Sequence, residues 1–536
     1  MKRMYKHASA HRQIGGGTGN MVIKVIFLII FFAVMILIGV MTRRKARSVD
    51  GFVLGGRSAG PWLTAFGYGT SYFSAVVFVG YAGQFGYKYG VSATWAGIGN
   101  AVLGSLLAWV VLGRRTRVMT KHLDSRTMPD FFGKRFDSNA LKVAAALISF
   151  VFLIPYTSSV YNGLSRLFRM AFDIPYTACV IVMAALTCVY VLLGGYMATV
   201  VNDFVQGIIM LFGISAVILA VLKSNGGFLQ ALTTLSEFES DLPATPGLKG
   251  AFVSFFGPDP LNLLGVVVLT SLGTWGLPQM VGKFYAIKDE RSIKAGTVIS
   301  TFFAIVVAGG CYFLGGFGRL YSANPGIYNP DGSVAYDAIV PAMLSGLPDI
   351  LIGIVVVLVL SAPMSTLSSL VLTSSSSVTL DLIAHFKKDM DENRKLLIMR
   401  VLLVIFIVIS VVLALNPPTF IAQLMGYSWG ALAGSFLAPC LYGLYWKGTT
   451  KASVWACFLC GVGITLSNMF LHYIKSPINA GALTMLAGLV IVPVVSLITP
   501  KMSGSRIEEA FAGYEETITI QKRYSLKEEE EVSENE

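Results

Sequence analysis

Windows of about 20 apolar residues recur along almost the whole chain, separated by short polar stretches. A helix of that length crosses the hydrocarbon layer of a membrane. The pattern predicts helices over 22–41, 61–82, 91–113, 139–160, 175–193, 198–222, 261–281, 296–317, 349–380, 398–415, 419–445, 452–473 and 481–499, about thirteen in all. The run 22–41 follows basic residues, but its length and its lack of a small-residue cleavage site mark it as a retained first helix and not a leader.

Composition agrees with one polytopic membrane domain. Apolar residues make up 54% of the 536 and charged residues only 13%, where soluble domains carry roughly a quarter charged. A water-soluble enzyme and a disordered chain are both excluded. The net charge of +12 does not form a basic face for nucleic acid, because the Lys and Arg fall in clusters between apolar runs. Counted by loop, 22 lie on one side of the alternation (the clusters near 43–57, 114–135, 283–294, 387–395 and 447–451) and 7 on the other. The positive-inside rule then predicts a cell-membrane protein with its carboxyl terminus in the cytoplasm and its amino terminus outside, against which Lys2, Arg3, Lys6 and Arg12 stand. The six cysteines all lie in apolar runs and read as free thiols. Cys457 and Cys460 have no second Cys or His pair, so zinc is not expected. Two longer outer loops, 223–260 and 318–350, are lids or connectors. From Lys501 the chain turns polar and reaches a run of glutamates at 528–531, which predicts a solvated, disordered cytoplasmic tail.

Four places carry chemistry. In Pro61–Gly80 the midpoint is crowded by Gly67, Gly69, Thr70, Ser71 and Ser74, and 270–279 repeats the theme with Gly273, Gly276 and Pro278. Such stretches either pack closely or open their backbone toward a cavity. Two in corresponding positions, five helices apart, point to a carrier built from inverted repeats. The segment 361–377 holds eight Ser and two Thr in a helix that should be buried. Ser365, Thr366, Ser368 and Ser369 offer hydroxyls on adjoining faces, and Pro363 frees a carbonyl. Oxygen ligation of this kind suits a hard, weakly charged cation such as sodium, the alternative being hydroxyls bonded back to their own helix. Asp203, inside an otherwise apolar helix, needs a cation or a salt bridge to a loop Arg or Lys, and the cation is the favoured partner.

The motifs GGRSAGPW, GYKYG, GGYMATVVNDFVQG, GLPQMVGKF and APMSTLSSL together resemble the sodium:solute symporter family, from about Gly55 to Tyr445. The resemblance implies an all-α LeuT-type fold: an extra helix within 1–60, two inverted five-helix repeats at 61–222 and 261–445 around the loop 223–260, two further helices within 446–500, and the tail 501–536. It implies a first sodium site from Thr70, Phe73, Ala362, Ser365 and Thr366, and a possible second from Asp203, Ser365, Ser368 and Ser369. Substrate contacts carried over from the family are Ser71, Tyr72, Ser271, Thr274, Trp275, Gln423 and Tyr427. Sugar carriers of the family have an acidic residue in the second repeat helix, and 91–113 has none. Proline-type members have an aspartate where this chain has Tyr72, and the strings TSYFS, YKYG and DIPY look more like the pantothenate branch.

The expected function is therefore sodium-coupled symport of a small solute, carboxylate-bearing as in pantothenate, proline or a monocarboxylate, by alternating access, with no organic cofactor and with a monomer sufficing in the bilayer. A proton-coupled carrier using Asp203 is the alternative, and a channel or sensor a weaker one. No catalytic constellation lies within the spans, so an enzyme is not expected.

Overall fold

The computed structural model describes residues 18–515 apart from 75, 173–174, 348, 388 and 417–420. The basic residues of the first 17 positions and the terminal glutamates lie outside that range. Among the described residues the chain is helical, with isolated β-bridges in place of strands.

Helix α1 (Thr18–Thr42) is followed by the short α2 (Val49–Leu54), capped by Ser48 and closed by Gly55 in the left-handed region (φ 61°). Helix α3 (Pro61–Tyr72) starts on a proline and stops at Phe73, whose extended backbone (φ −80°, ψ 99°) leaves the helical ladder. A π-helical turn (Val76–Tyr81) then leads into α4 (Ala82–Tyr89). The next crossing joins α5 (Thr94–Gly99), π-helical turns from Asn100 to Gly113 and α6 (Arg114–His122); α7 (Met128–Arg135) is short, and α8 (Asn139–Phe172) long.

Helix α9 (Tyr176–Ser224) has 49 residues, roughly 74 Å at 1.5 Å per residue and more than twice the hydrocarbon thickness. It breaks at Gly195 (φ 53°, ψ −142°), where a Cβ would meet the Phe52 carbonyl at 2.8 Å. The expected spans 175–193 and 198–222 lie on either side of that break.

The second half repeats the theme. After α10 (Phe228–Ser236), α11 (Pro260–Leu272) ends in a turn (Gly273–Trp275), and α12 (Pro278–Ala286) restarts on Pro278. Then come α13 (Glu290–Phe303), α14 (Gly310–Gly315), α15 (Tyr336–Ser345) and α16 (Asp349–Ser377), the last extended by a π-helical turn to Ile383 and by α17 (Ala384–Phe386). Helices α18 (Glu392–Leu415), α19 (Ile421–Tyr445), α20 (Lys451–Leu471) and α21 (Pro477–Ile498) complete the bundle. Among the described residues nine helical stretches are long and apolar enough to cross a membrane.

Burial separates inner from outer helices. Leu360–Phe386 has 72% of its most apolar window buried, against 33% for Glu392–Leu415. The serine-laden helix is thus interior, and α18 turns Val401, Val408 and Val412 outward, as a lipid-facing helix does. Helix α16 packs against α8, α9 and the broken α3.

Two expectations change. The segment expected as a disordered tail begins with a helix, α22 (504–515). It docks on the arginine-rich end of the bundle: Phe511 is buried under Arg135, and the Tyr514 hydroxyl donates to the carbonyls of Arg115 and Leu444. Its aromatic residues, spaced three apart, supply the apolar face that the acidic sequence beyond lacks. The outer loops, for their part, are tied down. Arg319, buried, donates to the Tyr87 carbonyl at 2.6 Å, pairs with Asp241 and lies 3.9 Å from the Phe252 ring centre, so both loops share one guanidinium anchor.

Candidate sodium site and its neighbours

The break after Tyr72 turns the end of α3 toward α16. The Thr70 carbonyl accepts hydrogen bonds from the Ser365 hydroxyl at 3.1 Å and the Thr366 hydroxyl at 3.3 Å. The same two hydroxyls lie 3.0 and 3.3 Å from the Ala362 carbonyl. All four residues are buried, at no more than 1% exposure. A cation of calcium's size holds oxygens at about 2.3–2.6 Å, which puts octahedral neighbours roughly 3.3–3.7 Å apart. Sodium is nearly that size, so this cluster needs only a small expansion to enclose it. Four of the five expected first-site residues are therefore together, and Phe73 stands at the break itself.

The expected second site does not assemble as an ion cage. The Lys283 ammonium donates to Asp203 Oδ2 at 3.2 Å and to the Ser369 hydroxyl at 3.1 Å, with both charged groups buried. Asp203 thus takes the salt bridge and not the free cation favoured from sequence. The Ser368 hydroxyl turns back to the Ser365 carbonyl (2.9 Å), the helix-internal alternative. Lys283 was expected in the basic loop cluster 283–294 because the predicted span stops at 281; α12 runs on to Ala286 and carries the lysine inward, where it is buried. The pair lies beside the broken helix at Gly67, where a Cβ would make ordinary contacts at 3.4 Å with both Asp203 Oδ2 and Lys283 Nζ. Ser71 joins the two centres, its hydroxyl 2.9 Å from that of Ser369.

The expected substrate contacts fall into separate groups. Ser271, Thr274 and Trp275 face the π-helical stretch Asn100–Leu107. Ser271 donates to the Asn100 side chain (3.3 Å), Thr274 to the Gly104 carbonyl (3.0 Å) and Trp275 Nε1 to the Leu103 carbonyl (2.8 Å). Ser71 is with Ser369 instead, and Gln423 and Tyr427 are half-buried on α19. The Tyr72 side chain lies outside the described residues.

A family model for the sodium:solute symporter family matches residues 52–461. The chain belongs to that family. It is a multi-pass membrane carrier that couples movement of a solute to sodium. Among its relatives are the osmoregulated proline transporter OpuE of Bacillus subtilis (strain 168), 30% identical over 89% of this chain and 95% of the relative, and the sodium/proline symporter of Salmonella typhimurium (strain LT2), 30% identical over 80% and 84%. A solved structure of a Na+-coupled sialic acid symporter in a substrate-bound outward-open state superposes with a TM-score of 0.71 over 90% of this chain and 99% of that one, at 14% identity. The likeness confirms the LeuT-type fold expected from sequence.

In this symporter a cavity of about 50 Å³ lies beneath the ion pair and leads to the arginine-rich end. Thr127, Tyr196, Gln279, Lys283, Ser369 and Ser376 line it. Among the described residues both amide atoms of Gln279 and the hydroxyls of Tyr196 and Ser376 are buried without a protein hydrogen-bond partner, so the cavity is suited to a few waters.

Proposed function

We propose that the symporter imports a small carboxylate-bearing solute, an amino acid of the proline type, with sodium bound among Thr70, Ala362, Ser365 and Thr366. The observation that carries this reading is the convergence of Ser365 and Thr366 on the Thr70 carbonyl at the helix break. These ligands are neutral oxygens. A sodium ion bound there stays uncompensated until an anion joins it, and a solute carboxylate near Ser71 supplies that anion. Two proline carriers among the relatives favour this solute over pantothenate or a monocarboxylate. Ser271, Thr274, Trp275, Gln423 and Tyr427 are the wall that the solute reaches on opening, when the bonds to the carbonyls of Leu103 and Gly104 are exchanged. Phe73 offers its freed carbonyl as the fifth sodium ligand.

Sodium enters from outside and steadies the broken helix; the solute follows, the outer side closes, and the bundle opens to the low sodium of the cytoplasm. The arginine-rich end is the cytoplasmic one, and the docking of α22 on Arg115 and Arg135 puts the carboxyl-terminal helix on that same side. The amino terminus is then outside, and a monomer contains every group the cycle needs. One sodium crossing about 100 mV gains roughly 2.3 kcal/mol, and a tenfold gradient adds about 1.4. Together these sustain several hundredfold accumulation of a zwitterion.

The test is uptake of labelled proline, pantothenate and lactate into proteoliposomes, with sodium outside or replaced by choline. Saturable proline uptake that choline abolishes is the expected result. Uptake that persists in choline and follows a pH gradient would point instead to the proton-coupled carrier.

A further inference from the structure

The carboxylate of Asp203, the hydroxyl of Ser369 and the bare backbone at Gly67 form a recess for one positive charge, and Lys283 Nζ sits in it. We propose that Lys283 is a resident cation filling this recess, so that the symporter binds one sodium per cycle, and that removing the lysine side chain turns the recess into a second sodium site. The inference rests on the sodium-coupled reading above and concerns the ion count.

Three observations carry it. The first is charge. Asp203 is fully buried and brings one negative charge, which the ammonium at 3.2 Å balances. A sodium ion added beside that ammonium would bring an uncompensated charge into the interior.

The second is chemistry. An ammonium is a compact donor without acceptors, so it seeks the same carboxylate and hydroxyl oxygens as a small monovalent cation. Unlike an ion it is covalently tethered, and it fixes α12 to α9 and α16 without leaving during transport.

The third is access and spare ligation. Asp203 Oδ1 is buried with no protein hydrogen-bond partner among the described residues. The small cavity reaches both Lys283 and Ser369. With the ammonium gone, a hydrated cation has a route in and finds two carboxylate oxygens, the Ser369 hydroxyl and, through it, Ser71.

The experiment counts radioactive sodium bound per purified full-length protein, without solute. Wild type is expected to bind one, Lys283→Ala two, and Lys283→Met combined with Asp203→Asn one again. Wild type binding two, Lys283→Ala binding one, or the double variant binding two would each overturn the proposal. A wild type binding none removes the sodium-coupled reading itself and this inference with it, an outcome distinct from the others. If Lys283→Ala fails to fold in choline but folds in sodium, the sodium count is made on that protein, two supporting the proposal and one overturning it; failure in both salts overturns it.

Discussion

Ser365 lies 295 positions beyond Thr70, yet its hydroxyl donates to the Thr70 carbonyl at 3.1 Å. That bond joins the broken helix α3 to the interior helix α16, and it occupies a place a cation can take. Removing the hydroxyl deletes a ligand while leaving a residue that fits the helix. Ser365→Ala is expected to raise the sodium concentration for half-maximal uptake roughly 10-fold, the scale of one strong polar contact. Folded yield should fall far less. Equal loss of yield and sodium affinity would assign Ser365 to packing alone.

The glycines that drew attention to the broken helices do different work. A Cβ at Gly67 meets nothing nearer than 3.4 Å, whereas at Gly69 it meets the Phe303 ring at 2.5 Å, and at Gly276 the Ala433 Cα at 2.7 Å and the Leu437 nitrogen at 2.8 Å. A ring end can shift; backbone cannot. Gly276→Ala is therefore expected to cost about 1–3 kcal/mol, and Gly67→Ala to be neutral or stabilising. Thermal midpoints of the purified variants decide this, and a Gly276→Ala protein as stable as Gly67→Ala would contradict the close approach.

Much of the design was legible before the structure. The two broken helices and the interior position of 361–377 follow from where Gly, Pro and hydroxyls interrupt apolar runs, whereas the grouping of Thr70, Ala362, Ser365 and Thr366 was expected from the family resemblance. Lys283, expected in a loop, and Asp381, not singled out, went wrong for a shared physical reason. Both sit one or two residues beyond predicted spans that ended where charge begins, at 281 and 380, but both are buried because a paired charge can continue a membrane helix. The helix at 504–515 was hidden by averaging it with the glutamates that follow. Spatial grouping of the substrate contacts was illegible too, since nothing in sequence reveals which carbonyls a π-helical turn frees.

Trp275 separates solute binding from sodium binding. Its indole nitrogen donates to the Leu103 carbonyl, and Thr274, another proposed solute contact, lies in the same short turn. Trp275→Phe keeps most of the ring and deletes the donor. The KM for solute is expected to change about 5- to 10-fold, the scale of one buried hydrogen bond, while half-saturation by sodium in equilibrium binding is unaltered. A parallel change in sodium binding would place Trp275 in the ion site's support instead.

At the arginine-rich end, Lys142 bridges two carboxylates, Asp130 at 2.7 Å and the fully buried Asp381 at 3.4 Å, and Thr127 donates to Asp381 at 2.6 Å. This cluster fastens α7 and α8 to the π-helical end of α16, beside the cavity that leads to Lys283. Removing one partner of a buried pair costs about 3–5 kcal/mol, and Lys142 is one-fifth exposed, so the low end applies. Lys142→Met leaves the two acids facing each other with Lys134, 3.2 Å from Asp130, as their remaining cation, and takes from Asp381 its lysine partner. Asp381→Asn keeps an acceptor for Thr127 and relieves that repulsion, so it should cost less, and adding it to Lys142→Met should restore part of the loss. Thermal midpoints of the two single variants and their combination test the relation; losses that simply add would mean that Lys142 does not bridge the two acids.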